Sequence, residues 1–210
     1  MIIEQILVTG MAVFCYLVVD ETTKEAVLID PAGDFDTIDS RVDRHHADVK
    51  YVINTHGHYD HTSGNDHVMK RSGAKLLIHK NDLRYIRGFD KDDVADFSAE
   101  QNNSKAKILL LKHNDEIKIG NTQLWVMHTP GHSAGCICLY GNDNIFTGDT
   151  LFTEGVGRTD LPDSSDRDLA DSIKNKILAL PDHTKIWPGH HYGRTPSSTV
   201  AEQKKYYGLG

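Results

Sequence analysis

Thr55-His56-Gly57-His58-Tyr59-Asp60-His61 places three imidazoles and one carboxylate within positions 56 to 61. The apolar, β-branched run at residues 49–54 predicts a strand running straight into this cluster, and the residues after it predict a helix. The cluster therefore lies on a strand-to-helix loop. His56 and His58 stand two apart in extended chain, so their rings point the same way and can share one metal ion. Asp60 and His61 fall where the chain turns into the helix, which aims them at a neighbouring point. At this composition the motif arises by accident about once in two hundred sequences, so it outweighs a chance polar loop.

Three further segments share one design, a strand end followed by a glycine turn that projects a ligand-type side chain. They are Thr129-Pro130-Gly131-His132, Thr147-Gly148-Asp149-Thr150 and Trp187-Pro188-Gly189-His190. Glycine and proline fix the backbone so that one imidazole or carboxylate stands out from a rigid edge. Each is weak alone, but with the first cluster they bring five histidines and two aspartates together. Seven ligands are too many for one zinc, which takes four. They suit two divalent ions sharing a bridging carboxylate, the two-metal arrangement with ions about 3.5–4 Å apart, and Asp149 is the natural bridge. Imidazole and carboxylate accept zinc, iron or manganese; zinc is the expected metal, two ions per chain.

The rest of the chain frames this site. At 210 residues, 39% hydrophobic and 25% charged, it has the composition of a soluble globular protein. No apolar run approaches the roughly 20 residues of a membrane span, and the start lacks a signal-peptide pattern, so a cytoplasmic, membrane-free protein is expected. A net charge of -7 argues against nucleic acid as a partner. Cys15, Cys136 and Cys138 are too few for a disulfide framework and read as small buried hydrophobes.

Strands are expected at residues 15–19 and 26–29 in a β-meander, then at 76–79, 116–119, 123–128, 135–140, 144–147 and 185–187. Helices are expected at residues 36–47, from about 64 to 71 ending at Gly73, and from about 199. Ser63 with Asp66 resembles a capping box for the second of these. Leu169, Ile173, Ile177 and Leu180 form one apolar helical stripe. Residues 80–107 are polar and weakly periodic, predicting short helices and an irregular excursion near the site. Two sheets with helices outside would bury this α/β pattern, with no linker dividing residues 1–210.

The four ligand motifs, in this order, resemble the metallo-β-lactamase superfamily from Cys15 to Gly193. That resemblance implies a four-layer αβ/βα sandwich of two mixed β-sheets, with the metals at one edge. It implies that His56, His58 and His132 hold one metal, that Asp60, His61 and His190 hold the other, and that Asp149 bridges them. An aspartate at position 149 is unlike the zinc β-lactamases. Gly155-Val156-Gly157-Arg158-Thr159-Asp160-Leu161-Pro162 and Pro188-Gly189-His190-His191-Tyr192-Gly193 are similar to the glyoxalase II (hydroxyacylglutathione hydrolase) branch. Only about twenty residues follow His190, so the C-terminal helical glutathione-binding domain of the longer type is not expected.

The resemblance implies hydrolysis of a small thioester or ester such as S-2-hydroxyacylglutathione, by a metal-bridging hydroxide that Asp60 orients. Arg158 and Tyr192 are candidates for holding the substrate, although Arg158 also fits an ordinary loop salt bridge. His191 reads as a surface residue, and Lys204 and Lys205 are candidates for a basic patch. The alternatives are a mononuclear-iron persulfide dioxygenase, which shares much of the pattern, and a phosphodiesterase, nuclease or lactonase of the same superfold. The oligomeric state leaves no mark in the sequence.

Overall fold

Strands whose alternate residues are apolar on both faces need cover on both sides, and the first half of the chain supplies it. The computed structural model describes residues 1–102 and 105–209. β1 (Ile2–Val8), β2 (Val13–Val19) and β3 (Glu25–Ile29) form an antiparallel meander. The chain passes through α1 (Phe35–His45) into β4 (Asp48–Ile53), which pairs parallel with β3. α2 (Tyr59–Thr62) and α3 (Asn65–Ser72) lead to β5 (Lys75–His79), and β6 (Val94–Asp96) and β7 (Ile108–Leu111) complete the sheet. Among the described residues its order is β1-β2-β3-β4-β5-β7-β6.

The second half repeats the plan. β8 (Glu116–Ile119), β9 (Thr122–His128), β10 (Ile137–Gly141) and β11 (Asn144–Gly148) run antiparallel, and a small hairpin, β12 (Leu151–Phe152) with β13 (Gly155–Val156), follows. After α4 (Asp166–Ser172), β14 (Lys185–Pro188) pairs parallel with β11, and β15 (Ser198–Thr199) leads into α5 (Val200–Tyr206). The order is β15-β14-β11-β10-β9-β8.

Period two sorts the side chains into layers. Phe14, Tyr16 and Val18 of β2 face Leu124, Val126, Leu139 and Phe146 of the second sheet in the central core. Cys15, Leu17 and Val19 face the other way, onto Ile38 and Val42 of α1 and Val68 of α3. Cys138, Ile145 and Ile186 cover the second sheet's outer face with Ile177, Leu178 and Val200. Four layers result, helix, sheet, sheet and helix, as expected. Asp20 ties the sheets at the far edge, accepting from the Thr23 amide at 2.9 Å and the Thr122 hydroxyl at 2.9 Å. Those donors hold its carboxyl down at about 2 against the opposing effect of burial, the Thr23 amide contributing most. Among the described residues no helix is long and apolar enough to cross a membrane.

The structure departs from the sequence expectation in several places. β1 and β7 had no assigned strand; neither shows period-two polarity, because β1 is an edge strand and β7 is flanked by strands on both sides. The Ser63–Asp66 capping box does not form. Gly64 is the N-cap, and the Ser63 hydroxyl donates instead to the Ala32 carbonyl at 2.5 Å. The apolar stripe after Leu169 widens into a π-helical turn at Ile173–Ile177, so the Leu178 amide reaches back to the Ile173 carbonyl at 2.9 Å. The extra residue in that turn brings Leu178 into the core beside Ile177, while Leu180 packs at its margin. The 80–107 excursion consists of 3-10 turns at Lys80–Tyr85, Lys91–Asp93 and Phe97–Asn102 with β6 between them. The part of that expectation on residues 103 and 104 lies outside the described residues. The C-terminal helix starts on a full capping box, Thr199 with Glu202.

Candidate metal centre

The expected ligand set gathers on one edge of the sandwich, most of it just past strand ends. His56 follows β4, His132 follows β9, Asp149 follows β11 and His190 follows β14, while Asp60 and His61 lie in α2. Backbone hydrogen bonds sew the two sheets together at this edge. The Ile137 amide donates to the Thr55 carbonyl at 2.8 Å and the Phe14 amide to Gly189 at 2.8 Å, while the Gly189 amide ties β14 to β11 within the second sheet through Gly148 at 2.8 Å. Gly148 turns the chain with φ +49, a left-handed value that suits glycine, and packs directly on Thr55. A side chain at Gly57 would meet Tyr85 Cδ2 at 2.6 Å, so the loop between His56 and His58 tolerates only hydrogen there.

The seven side chains converge in overlapping groups whose ligand atoms lie within 4.8 Å of one another: His56, His58 and His132; Asp60, His61 and His190; and His56, His61 and Asp149. In the first, His58 Nδ1 is 2.9 Å from His132 Nε2, and His56 Nε2 is buried with no hydrogen-bond partner. In the second, His61 Nε2 is 3.2 Å from His190 Nε2, which is 3.4 Å from Asp60 Oδ2. Asp149 stands between them. Its Oδ1 is 3.2 Å from His61 Nε2 without hydrogen-bond geometry, and its Oδ2 lies 3.4 Å from His190 Nε2 and 3.6 Å from His132 Nε2.

Outer partners decide which nitrogen each ring turns inward. His132 Nδ1 is 2.8 Å from the Arg158 carbonyl, an acceptor only, so that nitrogen carries the proton and the neutral ring presents a bare Nε2. His61 Nδ1 is 3.0 Å from Asp30, which makes that nitrogen the donor and turns Nε2 toward the other ligands. Bare imidazole nitrogens, an orphaned His56 Nε2 and two carboxylates, all buried or half-buried and facing each other, form a donor set that fits divalent cations.

Electrostatics divide the groups. Burial pushes His56 well below its ordinary value, with His61 adding repulsion, and burial and His132 likewise lower His58. His61 goes the other way. Burial opposes its charge, but Asp149 and Asp30 outweigh burial and raise it well above the usual imidazole range. His190 is pushed up to about 9 against burial by the nearby carboxylates of Asp149 and Asp60, each 3.4 Å from its Nε2. Asp149 is held well below the carboxylate range despite burial, chiefly by His61 and His190.

A cavity of about 600 Å³ opens over the ligands, lined also by Phe152, Val156, Leu161, Arg158 and Tyr192. Tyr192 stacks on His190 with ring centroids 4.5 Å apart. The Arg158 guanidinium, however, is paired with Asp160 through two contacts of 2.6 Å, the loop salt bridge that was its other reading. Its backbone carbonyl, which anchors His132, has the closer tie to the site. Lys204 and Lys205 do not reach this cavity. α5 packs on the outer layer, where Lys204 pairs with Asp182 at 2.6 Å and Lys205 lines a separate hollow with Glu154 and Arg194. His191 is exposed, as expected.

Sequence reasoning missed Asp30, Asp82 and Tyr85. Asp30 had a usable signal, because Ile29-Asp30-Pro31-Ala32-Gly33 is another strand end followed by proline and glycine, and Asp30 takes φ +50 there.

Residues 8–190 match the family model described as the metallo-beta-lactamase superfamily. A probable polyketide biosynthesis zinc-dependent hydrolase of Bacillus subtilis is 30% identical, the match spanning 92% of this chain and 79% of that protein. The hydroxyacylglutathione hydrolase of Pelagibacter ubique is 33% identical across 88% of this chain and 69% of its own. Among solved structures, ETHE1 from Myxococcus xanthus superposes with a TM-score of 0.83 at 30% identity, covering 98% of this chain and 83% of that one.

Proposed function

The chain belongs to the metallo-beta-lactamase superfamily, and from that premise we propose that it is a zinc-dependent hydrolase of small-molecule thioesters such as S-2-hydroxyacylglutathione. One observation carries the reading: two ligand groups meet at Asp149 beneath a cavity whose lining is largely apolar. His56, His58 and His132 would hold one zinc, Asp60, His61 and His190 the other, with Asp149 shared. Two bound zinc ions supply Lewis acidity toward a carbonyl and make water acidic enough to be a nucleophile near neutral pH. The similarity to a hydroxyacylglutathione hydrolase supports the thioester substrate.

The chain's own residues do the rest. Asp60, at the cavity wall beside His190, is held below the ordinary carboxylate range by His190 and His61 although burial opposes this. It stays ionised and orients the attacking water by accepting its hydrogen. Phe152, Val156 and Leu161 present apolar surface to the acyl group and exclude bulk water. Tyr192, at the rim, offers a phenol to the substrate's polar tail. A departing thiolate, with a pKa near 8.5, needs no acid, which suits a site whose histidines are all turned to the ligand cluster.

Zinc-loaded protein assayed with S-lactoylglutathione and simple thioesters should hydrolyse them, and full metal loading without thioester or ester turnover would refute the proposal. One observation favours a second reading. His56, His61 and Asp149 form a two-histidine, one-carboxylate set, the donor pattern of non-haem iron oxygenases. A persulfide dioxygenase would consume oxygen with glutathione persulfide when iron-loaded, and absence of oxygen uptake would exclude it.

A further inference from the structure

The 3-10 turn at Lys80–Tyr85 puts a carboxylate behind the three-histidine group, where among the described residues it makes no hydrogen bond or ion pair with a histidine. Asp82 is 0% exposed. Its Oδ2 accepts the Gly57 amide at 2.8 Å and the Ser133 hydroxyl at 2.7 Å. Gly57 separates His56 from His58, and Ser133 follows His132. One oxygen thus clamps together the two loops that carry all three imidazoles. The other oxygen, Oδ1, is buried without a hydrogen-bond partner, and among the described residues Asp82 has no ion pair.

A buried carboxylate with no counter-charge is costly and persists only where something compensates it. Hydrogen bonding alone does not require the charge. Both donors go to Oδ2, so asparagine could accept the same two bonds with its amide nitrogen in the Oδ1 position. Gly135 is bare where a Cβ would strike this carboxylate, so the backbone itself leaves room for it. What lies in front of Asp82 is a group of histidines suited to a cation.

Resting on the metal reading above, we propose that Asp82 is a positioning residue for the cation held by His56, His58 and His132. Its Oδ2 sets the spacing of the two ligand loops, and its negative charge offsets that cation's charge from behind. Tyr85 of the same turn packs on Gly57 and donates to Asp163 at 2.8 Å, extending the clamp to the loop that follows Arg158.

Zinc competition against a chromophoric chelator, on wild type, Asp82→Asn, Asp82→Ala and Ser133→Ala, tests this, with the cobalt(II) absorption spectrum as a probe of ligand geometry. Asp82→Asn should bind one of its two zinc ions about tenfold more weakly and Asp82→Ala about a hundredfold, with the other zinc unchanged. Ser133→Ala, which keeps the charge, should fall between wild type and Asp82→Asn, and only the alanine variants should shift the cobalt spectrum. If Asp82→Ala does not fold, Asp82→Asn decides alone. Folded variants that bind both zinc ions as tightly as wild type would overturn the inference. A wild type that holds no zinc would overturn the metal reading, and this inference with it.

Discussion

The two halves of the ligand cluster are chemically alike and electrostatically opposite. His56 is buried and His58 half-buried among other imidazoles, and both are lowered from the ordinary imidazole value. His61 and His190 are as deeply buried, yet Asp149, Asp30 and Asp60 raise them, His61 well above the usual imidazole range and His190 to about 9. Burial therefore does not decide whether a site is prepared for a cation; the carboxylates around it do. The first group offers bare nitrogens at once. The second offers a charged, self-paired cluster from which a cation must displace protons.

The largest effect should come from the residue the halves share. Asp149→Asn strips the buried charge that pairs with His61 and His190, a loss of roughly 3–5 kcal/mol in such networks. Metal analysis after dialysis should show both ions retained at least about a hundredfold less tightly, and thioester turnover should vanish. Retention of both would mean the halves are independent. The pH dependence of zinc binding sharpens the contrast further. Below about 9, His190 carries a proton that a cation must displace, so affinity at the second group falls as pH falls. Each proton released adds about tenfold per pH unit to the slope, whereas the first group, where burial lowers His56 and His58, should depend less on pH; calorimetry in buffers of different ionisation enthalpy reads the protons directly.

Asp30→Asn comes next. It weakens the hold on His61 Nδ1, so the second group alone should lose about tenfold in zinc affinity, and equal losses in both groups would show that Asp30 serves the fold rather than His61. Arg158→Ala should do least. Its side chain is two-thirds exposed and paired with Asp160, while the carbonyl that anchors His132 remains. Zinc affinity and KM should stay within about fivefold, the limit for a surface ion pair.

The contrast also explains what could be read from residues alone. The seven candidate positions that the structure brings together were legible because each is a strand end followed by a turn, or lies in the histidine-dense loop; His132, Asp149 and His190 each follow a glycine directly. Strands with clear flanking turns, such as β8, coincide with the expected bounds. β1 escaped because an edge strand with Glu4 and Gln5 at its centre has no clean alternation. Asp82 escaped because its meaning depends on Gly57 and Ser133, which are 25 and 51 residues away. The capping box at Thr199 formed and the one at Ser63 did not, because Ser63 had a tertiary partner, the Ala32 carbonyl, that local sequence does not reveal.

In the proposed function, a pair of zinc sites joined at Asp149 hydrolyses a thioester. Thioester hydrolysis by metal-free protein, followed as zinc is added one equivalent at a time at fixed neutral pH, tests it most directly. Turnover should rise to a plateau at two zinc ions per chain. Turnover that saturates at one ion, or a protein that takes up two and leaves every thioester intact, would contradict it.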